Sequence, residues 1–399
     1  MRALHGIRIL DLTHMLSGPY AAMMLADLGA DTIKVEPPKT GEGTRTLLAN
    51  DPKNSVEGMG AYFLTLNRNK RSVAIDLKSA EGLSLFYELV KVSDVVLYNF
   101  SAGVADRLKI SYPHLSARNS AIITCSITGF GETGPHKDWV SFDMVAQGTG
   151  GGMSITGQPG GEPTRSGIPI GDLGGSVMGA IGVLAALQAR HTTGLGQHVD
   201  ISMQDAQVSL LNYMATMHFL SGEVPTALGN RHFVHVPYGT FAAKDGYLIV
   251  AVITDGFWKS LVQVLELPEL DTEAHARQPG RLANREQIER VLGERFRTNT
   301  KAFWLERMRA ARIPCAPVND LAEALSDPQV AARNMVVDVP HPSGRVTKQP
   351  GNPIKLSRTH EDSFTAPPFL GQHTDEVLKS LLGLSPEKIR ALREQGVVG

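Results

Sequence analysis

Asp172 stands in the run Ser166-Gly167-Ile168-Pro169-Ile170-Gly171-Asp172-Leu173-Gly174-Gly175-Ser176, at the start of a predicted helix. A carboxylate there has two readings. Aspartate is among the preferred N-cap residues. With glycines on both sides it can also be approached by a bulky ligand, while helix amides stabilise its charge and any oxyanion formed beside it. In the second reading Asp172 is a covalent nucleophile towards an acyl group. Sixteen of the 40 glycines fall within the 54 residues 129–182, against about five for an even spread, so this stretch needs bare backbone. A second cluster, Arg68-Asn69-Lys70-Arg71, packs three cations into four residues just before a strand. It reads as a solvated loop or as a phosphate site. Asn99-Phe100-Ser101 and Arg107 follow another strand, at the kind of edge where open α/β sheets bind ligands.

Other chemistries lack their residues. The turn His14-Met15-Leu16-Ser17-Gly18-Pro19 has one glycine where a dinucleotide fingerprint needs three, and Glu36 alone is an ordinary strand-end acid. Gly148–Gly152 has no Gly-Lys-Ser/Thr after it, so there is no Walker A loop. His191 with His198, and His232 with His235, lack the clustered carboxylates of a metal site, so no metal is expected. Cys125 and Cys315 cannot build a disulfide framework, and Cys125 reads as a small buried hydrophobe. Lys plus Arg number 39 against 40 Asp plus Glu, which argues against a nucleic-acid partner. No uninterrupted apolar run reaches about 18 residues and the chain opens directly into a strand pattern, so a cytoplasmic protein without a membrane span is expected.

The elements that must position Asp172 alternate. Ile7–Leu12 reads as a strand, Pro19–Leu28 as a helix stopped by Gly29, and Thr32–Val35 as a second strand, which is a βαβ unit. Ser72–Asp76, Asp94–Tyr98 and Ala121–Cys125 continue the strands, with helices over Ala80–Lys91 and Tyr112–Ser116. Residues 141–171 read as loops, followed by helices over Leu173–Arg190 and Gln204–Leu220. A hairpin around Lys244-Asp245-Gly246 opens a region of different character. The expected fold is α/β: a Rossmann-like parallel-sheet large domain over 1–224, a smaller α+β domain over 225–325, and a return segment over 326–399. That segment ends in a helix with Ser385 as N-cap, Pro386 at the first position and Gly396 as the stop.

Several segments together resemble the class III CoA-transferases, the family containing formyl-CoA transferase, carnitine CoA-transferase and the racemase of 2-methylacyl-CoA. They are DLTHMLSGPYAAMMLADLGADTIKVEPP, LNRNKRSVAIDLK, DVVLYNFSAGVADRL, CSITGFGETGP, GIPIGDLGG and LGQHTDEVL. The resemblance implies an interlocked-ring homodimer and a nucleophile at Asp172 that passes through mixed anhydrides and an aspartyl-CoA thioester. It implies no permanently bound cofactor, with coenzyme A and acyl-CoA as substrates. CoA contacts carry over to Leu16, Ser17, Ile75, Lys78, Asn99, Phe100 and Arg107. Arg71 becomes a phosphate neighbour, and Phe142 and Asp143 border the pantetheine.

Departures from the family's patterns narrow the choice. The racemase branch has His-Asp where Phe142-Asp143 stands here, and phenylalanine cannot exchange a proton. The formyl-CoA transferase branch carries glutamine where Leu16 stands. The His232…Pro237-Tyr238 element resembles the branch that moves CoA from succinyl-CoA to short dicarboxylates such as glutarate. A second acceptor carboxylate needs a basic partner, for which Arg45, Arg165, Arg231, His232 and His235 are candidates. An acyl-CoA racemase or epimerase of the same fold, and a non-catalytic acyl-CoA-binding protein, stand as alternatives.

Overall fold

The central sheet starts from a short strand, β1 (Arg8–Asp11), whose Ile9 and Leu10 are fully buried. Helix α1 (Ser17–Asp27) follows and ends at Gly29, whose φ of +104° makes the turn into β2 (Asp31–Glu36). The computed structural model describes residues 2–359 and 363–399. After a short helix α2 (Ala61–Leu66) come β3 (Lys70–Ala74), α3 (Ala80–Lys91), β4 (Val95–Tyr98), the single turns α4 (Val104–Arg107) and α5 (Tyr112–Ser116), and β5 (Ile123–Thr128). Helices α6 (Asp143–Thr149) and α7 (Ile170–Thr193) precede β6 (His198–Ser202), α8 (Met203–Leu211) and α9 (Tyr213–Ser221).

The six strands pair in the order β3-β2-β1-β4-β5-β6, all parallel. This is the doubly wound order in which the chain reverses direction between β1 and β4. Successive strand residues go to opposite faces, and both faces are apolar, as a parallel sheet covered by helices requires. Ile9, Leu97, Cys125 and Ile127 pack with Ala22 and Leu25 of α1 and Val183 and Leu187 of α7. Leu10, Val96 and Tyr98 pack on the other face with Phe86 and Leu89 of α3.

The chain divides into two compact units. The first comprises the chain up to Gly152, Arg165–Glu223 and Pro328–Gly399; the second comprises Met153–Thr164 and Val224–Asp327. The second unit has a three-stranded antiparallel sheet. The hairpin β7 (Tyr238–Ala243) and β8 (Gly246–Ala251) turns through Lys244-Asp245, and β9 (Cys315–Pro317) pairs with β8. Helices α10 (Asp255–Leu265), α11 (Gln278–Ala283), α12 (Arg285–Phe296) and α13 (Lys301–Ala310) complete it, around Phe241, Trp258, Phe296 and Trp304. The tail adds a hairpin, β10 (Val336–Pro340) and β11 (Val346–Pro350), then α14 (Thr374–Leu382) and α15 (Pro386–Glu394). Ser385 caps α15 by accepting from the Lys388 amide, and Gly396 at φ +72° ends it, as the sequence predicts.

Three sequence expectations change. The stretch 141–171 is not all loop: it holds α6, whose first turn carries Asp143. The helix expected over Gln204–Leu220 is broken at Asn212, where φ is +50° and ψ −123°. Helix α7 is longer than expected and, by length and composition, apolar enough to cross a membrane, although no single apolar run announces it. Half of its most apolar window is buried inside the first unit, which is what a core helix of small residues shows.

Candidate active site

Where neighbouring strands of a doubly wound sheet lead the chain in opposite directions, a crevice opens beyond their carboxyl ends. Here that point lies between the β1–α1 turn and the residues after β4. Asn99 stitches the two: its Oδ1 accepts from the His14 amide at 2.9 Å, and its Nδ2 donates to the His14 carbonyl at 2.7 Å and to Ser17 Oγ at 3.3 Å. Beside this stitch is a cavity of about 420 Å³, with Thr13, His14, Glu36, Glu42, Ile75, Lys78 and Phe100 on its wall. Of the expected CoA contacts, Ile75, Lys78 and Phe100 therefore line one cavity. Lys78 and Arg107 are exposed, and among the described residues neither is in an ion pair. Arg107 directly precedes Leu108, which also lines the cavity. Leu16 is half-buried at the N-cap of α1, and Ser17 is buried.

Two expected cations are committed elsewhere. Arg71 sits near the amino end of β3, opposite the edge where the cavity opens, and pairs with Asp31 at 2.7 Å and Glu376 at 3.0 Å. Its charge is spent on these carboxylates, so the placement speaks against a phosphate neighbour. Arg45 makes a two-pronged pair with Glu36, both contacts 2.7 Å, and lies 4.0 Å over the Phe63 ring. That fork is filled, which leaves no face for an acceptor carboxylate. Glu36 in turn accepts from Ser72 Oγ and the Glu42 amide. Burial works to raise its carboxyl, but Arg45 and Lys34 outweigh burial and hold it below the ordinary value. What reads as an ordinary strand-end acid thus anchors the loop forming one cavity wall.

Asp172 is the third residue of α7, not its N-cap, which is Pro169. The cap work is done by Asp143, whose Oδ1 accepts from the Gly171 amide at 2.8 Å and the Asp172 amide at 3.3 Å. Gln147, one turn on, donates to Asp143 Oδ2 at 2.8 Å and accepts from the Ser166 amide at 2.9 Å. The Asp172 carboxylate is thereby left without any hydrogen-bond or ion-pair partner among the described residues, half-buried. Burial first, and the Asp143 charge second, raise it to about 6. Phe142 is exposed beside this pair. The backbone of Asp172 is fixed from below: Ser176 Oγ shares its one proton between the Asp172 carbonyl at 2.7 Å and the Ser17 carbonyl at 2.6 Å. Ser176 joins the helix of Asp172 to the start of α1.

Glycines around Asp172 meet protein rather than open space. A Cβ on Gly171 would lie 2.8 Å from the Asp143 carbonyl oxygen; one on Gly175 would lie 3.0 Å from Met203 Cγ, and one on Gly179 2.7 Å from Ile127 Cδ1. They let α7 approach α6, α8 and β5 closely. The expectation that they clear room for a ligand is corrected on that point, with Gly167 the exception, since nothing lies within 4 Å of its Cβ position.

Sequence reasoning missed four residues of the site. Tyr62 on α2 feels the charges of Asp172, Asp143 and Glu42, which with burial raise its phenol. Glu42 is buried and accepts from the Met15 and Thr44 amides. Gln147 and Ser176 each lie four residues beyond a marked aspartate on one helix, the spacing at which side chains and carbonyls of a turn meet. That spacing signals Ser176; Gln147 is hidden because α6 reads as loop.

The remaining acceptor candidates divide between the two units. Arg165 is exposed and belongs to the first. Arg231, His232 and His235 belong to the second. Arg231 pairs with Glu289 at 2.9 Å. His232 Nδ1 accepts from the Val234 and His235 amides, and burial, then His235 and Arg285, lower its imidazole, which disfavours a cation. A larger cavity of about 860 Å³ in the second unit has Arg231 and Arg290 on its wall, each matched by a glutamate. Cys125 is buried, which pushes its thiol up and away from nucleophile chemistry.

A half-buried carboxylate without a partner near a helix start, in the unit built on a doubly wound sheet, marks an α/β protein with a candidate group for acyl chemistry. The chain belongs to CoA-transferase family III, which it matches over residues 4–374. It is 38% identical over 387 residues to the succinyl-CoA:mesaconate CoA-transferase of Haloarcula hispanica, covering 95% of this chain and 96% of the relative. To the succinyl-CoA:glutarate CoA-transferase of Homo sapiens it is 34% identical over 399 residues, covering 100% of this chain and 90% of that one. A solved CaiB/BaiF family protein from Brucella suis superposes with a TM-score of 0.85 at 35% identity, covering 95% of this chain and 99% of that chain.

Proposed function

We propose that this enzyme moves CoA from succinyl-CoA to a short-chain dicarboxylate through an aspartyl-CoA thioester on Asp172. The observation that carries the reading is the Asp172 carboxylate itself, unpaired and raised to about 6. At neutral pH it is ionised yet more basic than an ordinary aspartate, which suits a nucleophile. An Asp172 oxygen attacks the donor thioester carbonyl, the C–S bond breaks, and a mixed anhydride and CoA thiolate result. The thiolate attacks the aspartyl carbonyl, which releases the donor carboxylate and leaves the aspartyl thioester. The acceptor carboxylate attacks the carbonyl of that thioester, its C–S bond breaks to give a second mixed anhydride and CoA thiolate, and the thiolate then attacks the acceptor carbonyl and frees the Asp172 carboxylate. One thioester replaces another. Lys78 and Arg107, exposed and unpaired, are apt for the phosphates of CoA, and Phe100 offers an apolar wall. The named activities of these relatives point to succinyl-CoA as donor and to glutarate or mesaconate as the kind of acceptor. Phe142 in place of a proton-exchanging histidine argues against racemisation.

The enzyme is further proposed to be a cytoplasmic homodimer. Its two cysteines are free thiols, as a reducing compartment permits. Helix α9 has no buried residue, and Phe219 and Leu220 are 80% and 84% exposed, an apolar face of the kind partners cover.

The test is incubation of the chain with succinyl-CoA and a panel of C4–C6 dicarboxylates, with CoA products read by mass spectrometry. A new dicarboxyl-CoA is expected from the wild-type chain and none from Asp172→Ala, with hydroxylamine marking Asp172 when donor is present. Undiminished turnover by the alanine variant would sink the mechanism.

A further inference from the structure

Beneath the β1–α1 turn the sheet holds three charged side chains that the transfer steps do not use. Asp11, Lys34 and Lys70 are each at most 2% exposed, on strands whose neighbouring positions Ile9, Leu10 and Ile33 are apolar and buried. Lys70 Nζ spends all three protons, on Asp11 Oδ2 at 2.9 Å, the Pro19 carbonyl at 3.0 Å and Asn67 Oδ1 at 3.1 Å. Lys34 Nζ donates to the Thr13 carbonyl at 2.7 Å and lies 3.9 Å from Asp11 Oδ2. Asp11 Oδ1 accepts from both the amide and the hydroxyl of Thr13.

Such a cluster is a poor device for stability, since apolar residues of similar volume commonly do as well or better. Its effect is geometric. The carbonyls that bracket the turn, Thr13 before it and Pro19 in the first turn of α1, are each held by a buried ammonium. Between them Met15 has a φ of +63°, a conformation that a side-chain-bearing residue keeps only when its surroundings impose it. In the same turn the Ser17 carbonyl accepts from Ser176, which also holds the Asp172 carbonyl.

We propose that Asp11, Lys34 and Lys70 are positioning residues for acyl transfer: they fix the Thr13–Pro19 turn and, through Ser17 and Ser176, the backbone of Asp172, without touching substrate. This rests on Asp172 being the nucleophile, so the experiment follows the labelling of Asp172 itself. The wild-type chain, Lys70→Met, and a combined Asp11→Leu, Lys34→Met, Lys70→Met variant are mixed with succinyl-CoA and hydroxylamine. The rate of Asp172 modification is read by peptide mass spectrometry, CoA affinity by calorimetry and folding by thermal denaturation. The combined variant is expected to fold, to bind CoA within about threefold of wild type, and to label Asp172 roughly 10- to 100-fold more slowly, the penalty of a small misplacement. Labelling at the wild-type rate overturns the proposal, as does a loss of CoA affinity equal to the loss of rate. Should the combined variant not fold, Lys70→Met carries the same comparison. A wild-type chain that never labels at Asp172 overturns the nucleophile reading as well, so the two failures are distinct.

Discussion

The carboxylates of Asp143 and Asp172 stand at consecutive helix starts, and only the first is satisfied. Asp143 accepts from two helix amides and from Gln147, while the Asp172 carboxylate receives no hydrogen bond from the described residues. Because burial first and Asp143 second raise Asp172 to about 6, a reaction that needs the ionised carboxylate loses rate as pH falls through that value. Single-turnover labelling by succinyl-CoA is therefore expected to be flat above about pH 7 and to fall about tenfold per pH unit well below 6. Asp143→Asn removes the second cause and keeps the first, so its limb should move to lower pH yet stay above that of an exposed aspartate. An unmoved limb in that variant would show that Asp143 acts only as a cap.

Among the elements, the proposed nucleophile is placed by how closely α7 can approach α6. A Cβ on Gly171 would sit 2.8 Å from the Asp143 carbonyl and 3.2 Å from Ala146 Cβ, neither of which can swing aside as the end of a flexible chain would. Gly171→Ala is thus expected to push the two helix starts apart. We expect it to slow Asp172 labelling by roughly 10- to 100-fold and to lower stability by ~1–3 kcal/mol, measured by single-turnover kinetics and denaturant titration. Wild-type labelling with this substitution would show that the close approach does not position Asp172. The same interface explains what the sequence discloses and what it hides. Strand β4 is legible because Val95–Tyr98 is a continuous apolar run, and β1 and β2 because Ile9-Leu10 and the Ile33 and Val35 pair stand out between charged residues. Asp172 stands out by its glycines, although most of these serve helix packing. Helix α6 is hidden because its residues, Asp143 to Thr149, carry no clear apolar stripe, and Gln147 is hidden with it. The commitment of Arg45 to Glu36 and of Arg71 to Asp31 and Glu376 is also invisible in the sequence, since the pairings join residues 9, 40 and 305 positions apart. A basic cluster read without its partners looks like a phosphate site; with them, Arg68 is paired with Asp27 and Lys70 is sheet interior, while Lys78 and Arg107 outside the cluster are exposed and in no ion pair among the described residues.

For the molecule as a whole, the open question of scale is what covers the apolar surface of the last helices before Val224. Phe219 and Leu220 are mostly exposed, Ile181 on α7 is 55% exposed, and no residue of α9 is fully buried within the chain. Scattered exposed leucines need no explanation, but two adjacent large side chains on a helix without any buried residue do. A second copy is the partner that the resemblance to class III CoA-transferases implies, and a stable interface of about 1,600 Å² would be ample to cover such a face. The chain is accordingly expected to elute at twice its 43.0 kDa mass in light scattering. Phe219→Asp with Leu220→Asp places two charges on the proposed contact, and should shift the population towards monomer and lower the thermal midpoint. Because Asp172 and the cavity beside Phe100 lie elsewhere in the first unit, the freed monomer should still bind CoA by calorimetry, which separates loss of assembly from loss of fold. A wild-type chain that runs at 43.0 kDa across micromolar concentrations would remove the dimer from the reading and leave the exposed helix face to another partner.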